Sequence, residues 1–241
     1  GIPLSRVLRH PVGDQASLES QPAVDATAEQ PETESADGPE FTVRQALRTR
    51  AFWIIPLAHA TNGFTTSAVY VHGIPHMTDV GLSLQTASYV MATYGALEVT
   101  MRAFGSFIGD HVDKRWAIAV YCAIQALGAV VLAMARSLPA FFLFTVLFAI
   151  GHGGRGPLIV AIRGEYFGRR QFGTIMGIGS LITSTSGIIT PILLGVLYDA
   201  QQSYMVGFVS MAVLTFLGGF LVLLAKRPTL PGRDVPQPTR A

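Results

Sequence analysis

The chain has 241 residues, of which 50% are hydrophobic and only 13% charged, with a formal net charge of +2. A mean hydropathy of +0.43 is more than a soluble globular domain carries, which excludes that class. The one cysteine, Cys122, excludes a disulfide framework or a cysteine metal site, and basic residues that do not cluster leave no footprint for nucleic acid.

Residues 1–10 are basic and partly apolar, like the exit of a preceding membrane helix, and residues 14–40 hold almost no large apolar side chains. Such a stretch cannot offset the entropy of ordering it. Residues 1–43 are therefore expected to be the end of an earlier helix and a disordered cytoplasmic linker, and the chain reads as the C-terminal part of something longer.

Six apolar segments follow, at 51–73, 84–108, 115–136, 139–162, 171–198 and 203–225. Each reaches the roughly 20 residues that cross a hydrocarbon layer of about 30 Å. Lipid offers the backbone no hydrogen-bond partner, so the segments are expected to be helices. None shows the period-two alternation of a barrel strand. The expectation is an all-α polytopic membrane protein, with a six-helix bundle over 44–227 and a short tail over 228–241. The connections near 110–115 and 163–170, the approach at Arg44, Arg48 and Arg50, and the exit at Lys226 and Arg227 are basic. The opposite loops, near 75–82 and 199–203, have no Lys or Arg, and Arg136 alone touches the one at Ser137 and Pro139. Positive charge marks the cytoplasmic side, which puts both termini there.

Ionisable and polar groups inside a membrane span are costly and face a cavity or a partner. In the first segment Pro56, His59, Asn62 and Gly63 interrupt the apolar run, with Thr65, Thr66, Ser67 and Tyr70 after them. His59, Asn62 and Thr66 share a face at helical spacing and, with Tyr70, are candidates to line a substrate path. Local hydrogen bonding and a kink at Pro56 would account for them equally. Glu98 and Arg102 stand four apart on one helix and can pair. Either they neutralise each other, with Arg102 snorkelling to the surface, or the Arg102 fork grips a substrate carboxylate while Glu98 tunes it or carries a proton.

The run Gly151-His152-Gly153-Gly154-Arg155-Gly156-Pro157 reads as an interrupted helix lining a cavity, with Arg155 as an anion ligand. A glycine seam for close packing, with Arg155 near the surface, is the plainer alternative, but the position of Arg155 deep in the span, well past the loop at Ser137 and Pro139, argues against it. His152 titrates in the right range for proton coupling. The small residues Gly173, Gly177, Gly179, Ser180, Thr183, Ser184, Ser186 and Gly187 are read as a packing stripe. No nucleotide loop, nucleophile elbow or metalloprotease motif occurs, so neither catalysis nor a cofactor or metal is expected.

The segment Gly105-Ser106-Phe107-Ile108-Gly109-Asp110-His111-Val112-Asp113-Lys114-Arg115 resembles the cytoplasmic-loop signature of the major facilitator superfamily, Gly-x-x-x-Asp-Arg-x-Gly-Arg-Arg. Asp110, Lys114 and Arg115 match it; Ser106, His111 and Asp113 depart from it. The stretch 163–170, including Glu165 and Arg169, is similar to that fold's tenth-to-eleventh helix connection. The resemblance implies that the six segments are helices seven to twelve. It also implies that the N-terminal six-helix half is a partner, and that Asp110, Lys114, Arg115, Glu165 and Arg169 brace the gating loops. Within the superfamily, Glu98-Val99-Thr100-Met101-Arg102 resembles the acidic-x-x-x-Arg pattern of monocarboxylate porters, and oxalate/formate antiporters are a second likeness. Glu98 stands where Asp is usual, and Ala103 where Pro often follows. The implied function is secondary transport of a small organic anion, a mono- or dicarboxylate, by alternating access. Arg102 and Arg155 would be its ligands, and Glu98 and His152 the proton-coupling residues. A carrier of the same fold for neutral or cationic solutes, and a non-transporting sensor or adaptor, are the alternatives.

Overall fold

A computed structural model describes residues 40–109 and 111–229, and all the regular secondary structure among them is helical. A one-turn helix, α1 (Val43–Leu47), precedes six long ones: α2 (Arg50–Asp79), α3 (Leu84–Gly109), α4 (Lys114–Met134), α5 (Leu138–Phe167), α6 (Phe172–Gln201) and α7 (Met205–Leu223). Thr42 caps α1 in a capping box with Gln45, and Thr49 caps α2 by accepting from the Phe52 amide. Both entry points thus carry the hydroxyl that free helix amides require.

All six long helices have the length to span a bilayer, but α4, α5, α6 and α7 alone are also apolar enough. The other two, α2 and α3, fall short in composition because they carry His59, Asn62, Thr65 and Thr66, and Glu98, Thr100 and Arg102. The expected bounds shift as well. α2 runs through Pro75 to Asp79, past the expected end at 73. α5 continues to Phe167, so Arg163 and Glu165, read as loop, are helical. The interrupted-helix reading of 151–157 is also corrected, since α5 passes through Pro157 unbroken. Proline removes one amide donor and leaves the Gly153 carbonyl without its helical partner, without ending the helix.

The glycines of that run are a packing seam on two sides. A Cβ on Gly105 of α3 would collide with the Gly154 backbone, and one on Gly153 would meet the Glu98 carbonyl. On the α4 side, a Cβ on Gly151 would strike Gln125 and the Tyr121 carbonyl. α5 therefore lies backbone to backbone between α3 and α4, an arrangement that small residues permit in membranes, where dispersion contacts replace the hydrophobic drive. Aromatic side chains, Tyr94, Phe141, Phe144, Phe148 and Phe208, fill the core at one end of the bundle. Phe52, Ile118, Ile159, Ile162 and Phe167 fill the other.

The outer surface is apolar, as lipid contact demands and a soluble fold would not tolerate. Trp116, Val120, Leu127, Phe216 and Phe220 all point outward. The least covered helix is α6: only 17% of its apolar stretch is buried, against 56% for α5. The packing stripe expected there is half realised. Gly179 meets Pro56 and Ser186 meets Gly63, whereas a Cβ at Gly173, Gly177 or Gly187 would meet nothing within 4 Å.

The linker expected through residue 43 is ordered from Glu40. Its carboxylate accepts from the Arg169 and Arg170 amides at 3.2 and 3.0 Å, and the Phe41 amide donates to the Phe167 carbonyl at 3.1 Å. The remainder of the linker, the exit of the preceding helix, the tail from 230 and Asp110 lie outside the described residues.

Candidate functional site

Two polar constellations meet in the middle of the bundle. The first is built on α2 and α5. Arg155 is 3% exposed; its Nη1 donates to His59 Nδ1 at 2.8 Å and its Nη2 to Asn62 Oδ1 at 2.6 Å, while Nε has no partner. A guanidinium only donates, so His59 is the acceptor at Nδ1 and carries its proton on Nε2. The Asn62 amide donates in turn to Gln125 Oε1 at 2.9 Å, and Gln125 Nε2 donates to Thr66 at 3.2 Å. Both immediate partners of Arg155 are neutral. The guanidinium is positioned but its charge is not cancelled.

The second constellation joins α2, α3 and α5 around Glu98, which is 5% exposed. Arg102 donates to Glu98 Oε1 from Nη2 at 2.6 Å and from Nε at 3.1 Å, and Tyr70 donates to Oε2 at 2.9 Å. His152 Nδ1 lies 3.3 Å from the same Oε1 and 2.9 Å from the Tyr94 hydroxyl. Tyr94 donates onward to Tyr70 at 3.4 Å. With those two hydroxyl protons pointing toward Glu98, the proton between His152 and Tyr94 sits on His152 Nδ1. A ring of contacts thus forms, in which donors run from His152 through Tyr94 and Tyr70 to the accepting Glu98, and His152 Nδ1 lies 3.3 Å from Glu98 Oε1.

The two constellations share one cleft of about 380 Å³, lined by His59, Thr66, Tyr70, His152 and Arg155, with Thr183, Ser184, Ser186 and Gly187 of α6 opposite. The structure therefore brings His59, Tyr70, His152 and Arg155 to one space. Asn62 is wholly buried behind it, engaged with Arg155. Arg102 is not part of the cleft lining: its side chain is 56% exposed and touches the site through Glu98. The hydroxyls of α6, read from sequence as packing, form one wall. Gln125 and Tyr94 were not singled out. Gln125 was detectable as a lone amide in the apolar run of α4, and Tyr94 as the aromatic one turn before Glu98.

At the basic end of the bundle Lys114 Nζ and Glu165 Oε1 are 2.6 Å apart, joining α4 to α5, and Arg115 pairs with Asp113 at 2.8 Å. The Arg115 guanidinium beside Asp113 holds that carboxyl below its ordinary range. Arg169 takes part through its backbone amide on Glu40.

Helices that combine an apolar exterior with a buried polar cleft define an integral, polytopic membrane protein. Residues 28–241 match the family model of the Major Facilitator Superfamily, and the chain belongs to that superfamily. It is similar to monocarboxylate transporter 12 of Homo sapiens, 23% identical over 183 residues, covering 73% of this chain and 36% of that protein. It is also similar to the uncharacterized transporter YclF of Bacillus subtilis (strain 168), 27% identical over 166 residues, covering 66% of this chain and 33% of that protein. Among solved structures it shares its fold with a POT family transporter in complex with 5-aminolevulinic acid, with a TM-score of 0.68 at 21% identity, covering 78% of this chain and 40% of that one. A peptide transporter POT in complex with sulfate gives 0.66 at 19% identity, covering 78% and 39%. The chain thus spans about a third of the curated relatives it matches.

Proposed function

We propose that this chain is the C-terminal half, helices seven to twelve, of a secondary carrier that moves a small organic anion, a mono- or dicarboxylate, by alternating access. The observation that carries the reading is the uncancelled charge of Arg155 at the cleft. A buried cation held by neutral acceptors favours an anion that brings its own charge, and a guanidinium fork matches a carboxylate. The one buried carboxylate among the described residues, Glu98, is already engaged by Arg102, which weighs against a cationic solute. A relative named for monocarboxylates agrees with the choice.

The Glu98 ring supplies a coupling mechanism. While Glu98 is ionised it occupies the Arg102 fork. A proton delivered through His152 would neutralise it, loosen the pair and let Arg102 turn from outside the cleft toward the substrate carboxylate, so proton and anion would load together. The unsatisfied small-residue face of α6 is where the N-terminal half would pack, closing the cleft between the halves. The positive-inside rule places the basic end, with both termini, in the cytoplasm. The Lys114–Glu165 pair would brace that end in one of the two alternating states.

The test is uptake of labelled lactate, formate and oxalate into proteoliposomes holding the intact carrier, with and without an inward proton gradient. Expected is uptake that the gradient stimulates and that Arg102→Ala reduces by at least about tenfold. Uptake indifferent to Arg102→Ala would remove Arg102 from the binding assignment.

A further inference from the structure

Arg163 is a buried cationic side chain that does not line the cleft. It lies on α5 eight residues beyond Arg155, which is about 12 Å along a helix axis. It is 5% exposed. Its Nη1 reaches the Met176 thioether on α6 at 3.2 Å, a weak acceptor, and Nε and Nη2 are buried without a partner. Among the described residues no carboxylate pairs with it. A guanidinium keeps its proton, and a buried cation with no anion is among the most costly arrangements a protein can hold. The end of α5 is one turn away at Phe167. A long side chain there would ordinarily snorkel to water, yet this one turns inward.

What encloses it is slight. Gly179 of α6 sits over the gap, where an added Cβ would lie 3.2 Å from Pro56 Cγ and 3.9 Å from Arg163 Cζ. α6 rests mainly on α2 and touches α5 little, and a Cβ at Gly173 or Gly177 would meet nothing within 4 Å. A lateral shift of this end of α6 would uncover the guanidinium without dismantling the core. Arg155 and Arg163 would then face the same inter-helix space, one at the cleft and one toward the basic end.

We infer that Arg163 is a second anion-binding residue, which takes the carboxylate of the transported anion between the cleft and the basic end when α6 moves off α5. This rests on the anion-carrier reading above. It makes the unpaired cation a station that is costly when empty and satisfied in transit.

The test uses the intact carrier in oriented proteoliposomes, with the apparent KM for labelled lactate measured separately from each face. Arg163→Gln is expected to raise KM at the basic-end face about tenfold and leave the other face within about twofold, with Arg163→Lys intermediate. Arg163→Met, which removes an uncompensated charge, is expected to melt at a higher temperature than wild type in detergent without substrate. Equal KM changes at both faces, no change at either, or a lower melting temperature for Arg163→Met would overturn the inference. If wild type moves no lactate, formate or oxalate, the anion-carrier reading falls and this one with it. If wild type moves lactate and the Arg163 variants match it, this one alone falls.

Discussion

Arg155 presents its two terminal nitrogens to His59 and Asn62, and that choice of neutral acceptors makes two substitutions diverge. Asn62→Ala removes one acceptor and strands the Gln125 carbonyl oxygen, which costs about 1–3 kcal/mol of stability and loosens the guanidinium, so apparent anion affinity falls moderately. Asn62→Asp adds a carboxylate where an oxygen already accepts. It would cancel the Arg155 charge internally, abolishing anion uptake in a protein that still folds. Uptake assays paired with melting curves in detergent check both, and an Asn62→Asp carrier with wild-type affinity would contradict the role given to Arg155. Glu98→Gln keeps the shape of the ring and removes its titration. Stimulation by a proton gradient should disappear while exchange without a gradient persists, read as the ratio of uptake with and without the gradient. The Glu98–Arg102 contact was legible in the four-residue spacing. Which arginine lines the cleft was not, because Arg102 and Arg155 look alike in sequence and only packing separates a half-exposed side chain from a buried one.

The glycine seam governs how α5 sits between its neighbours. Gly105→Val would force α3 off the Gly154 backbone and is expected to destabilise by about 1–3 kcal/mol, as overpacking does. Gly95→Ala, on the same helix with nothing within 4 Å, should be neutral or stabilising by up to about 1 kcal/mol through helix propensity. Thermal unfolding of the two variants side by side tests the contrast, and equal losses would mean the seam is not close-packed. Hydropathy located the long helices to within a few residues at most ends, because length and apolarity are local properties. It misplaced the end of α5, where Arg163 and Glu165 carry the signature of a loop. One is enclosed by α6 and the other paired with Lys114, and neither circumstance is written in the local pattern. The glycines and proline of 151–157 misled for a related reason. Their composition suits a broken helix and a close-packed one equally, and the neighbouring helices decide.

For the whole molecule, the exposed small-residue face of α6 and the open side of the cleft are where, on the proposed reading, a second half would pack. If the Lys114–Glu165 pair braces one alternating state, Lys114→Glu should slow transport, and adding Glu165→Lys should restore much of the rate by re-forming the pair in reverse. Glu165 is 51% exposed, so the effect on stability should stay below about 1 kcal/mol; a stability loss without a rate change would place the pair in folding alone. On the proposed reading, an uncancelled Arg155 makes the cleft selective for anions. That selectivity is tested most directly by uptake of labelled lactate into proteoliposomes of the intact carrier, wild type against Arg155→Gln, with unlabelled lactate or its neutral amide as competitor. Lactate is expected to compete and the amide is not, and Arg155→Gln is expected to lower uptake at least about tenfold. Competition by the amide equal to that by lactate, or uptake unchanged in Arg155→Gln, would contradict it.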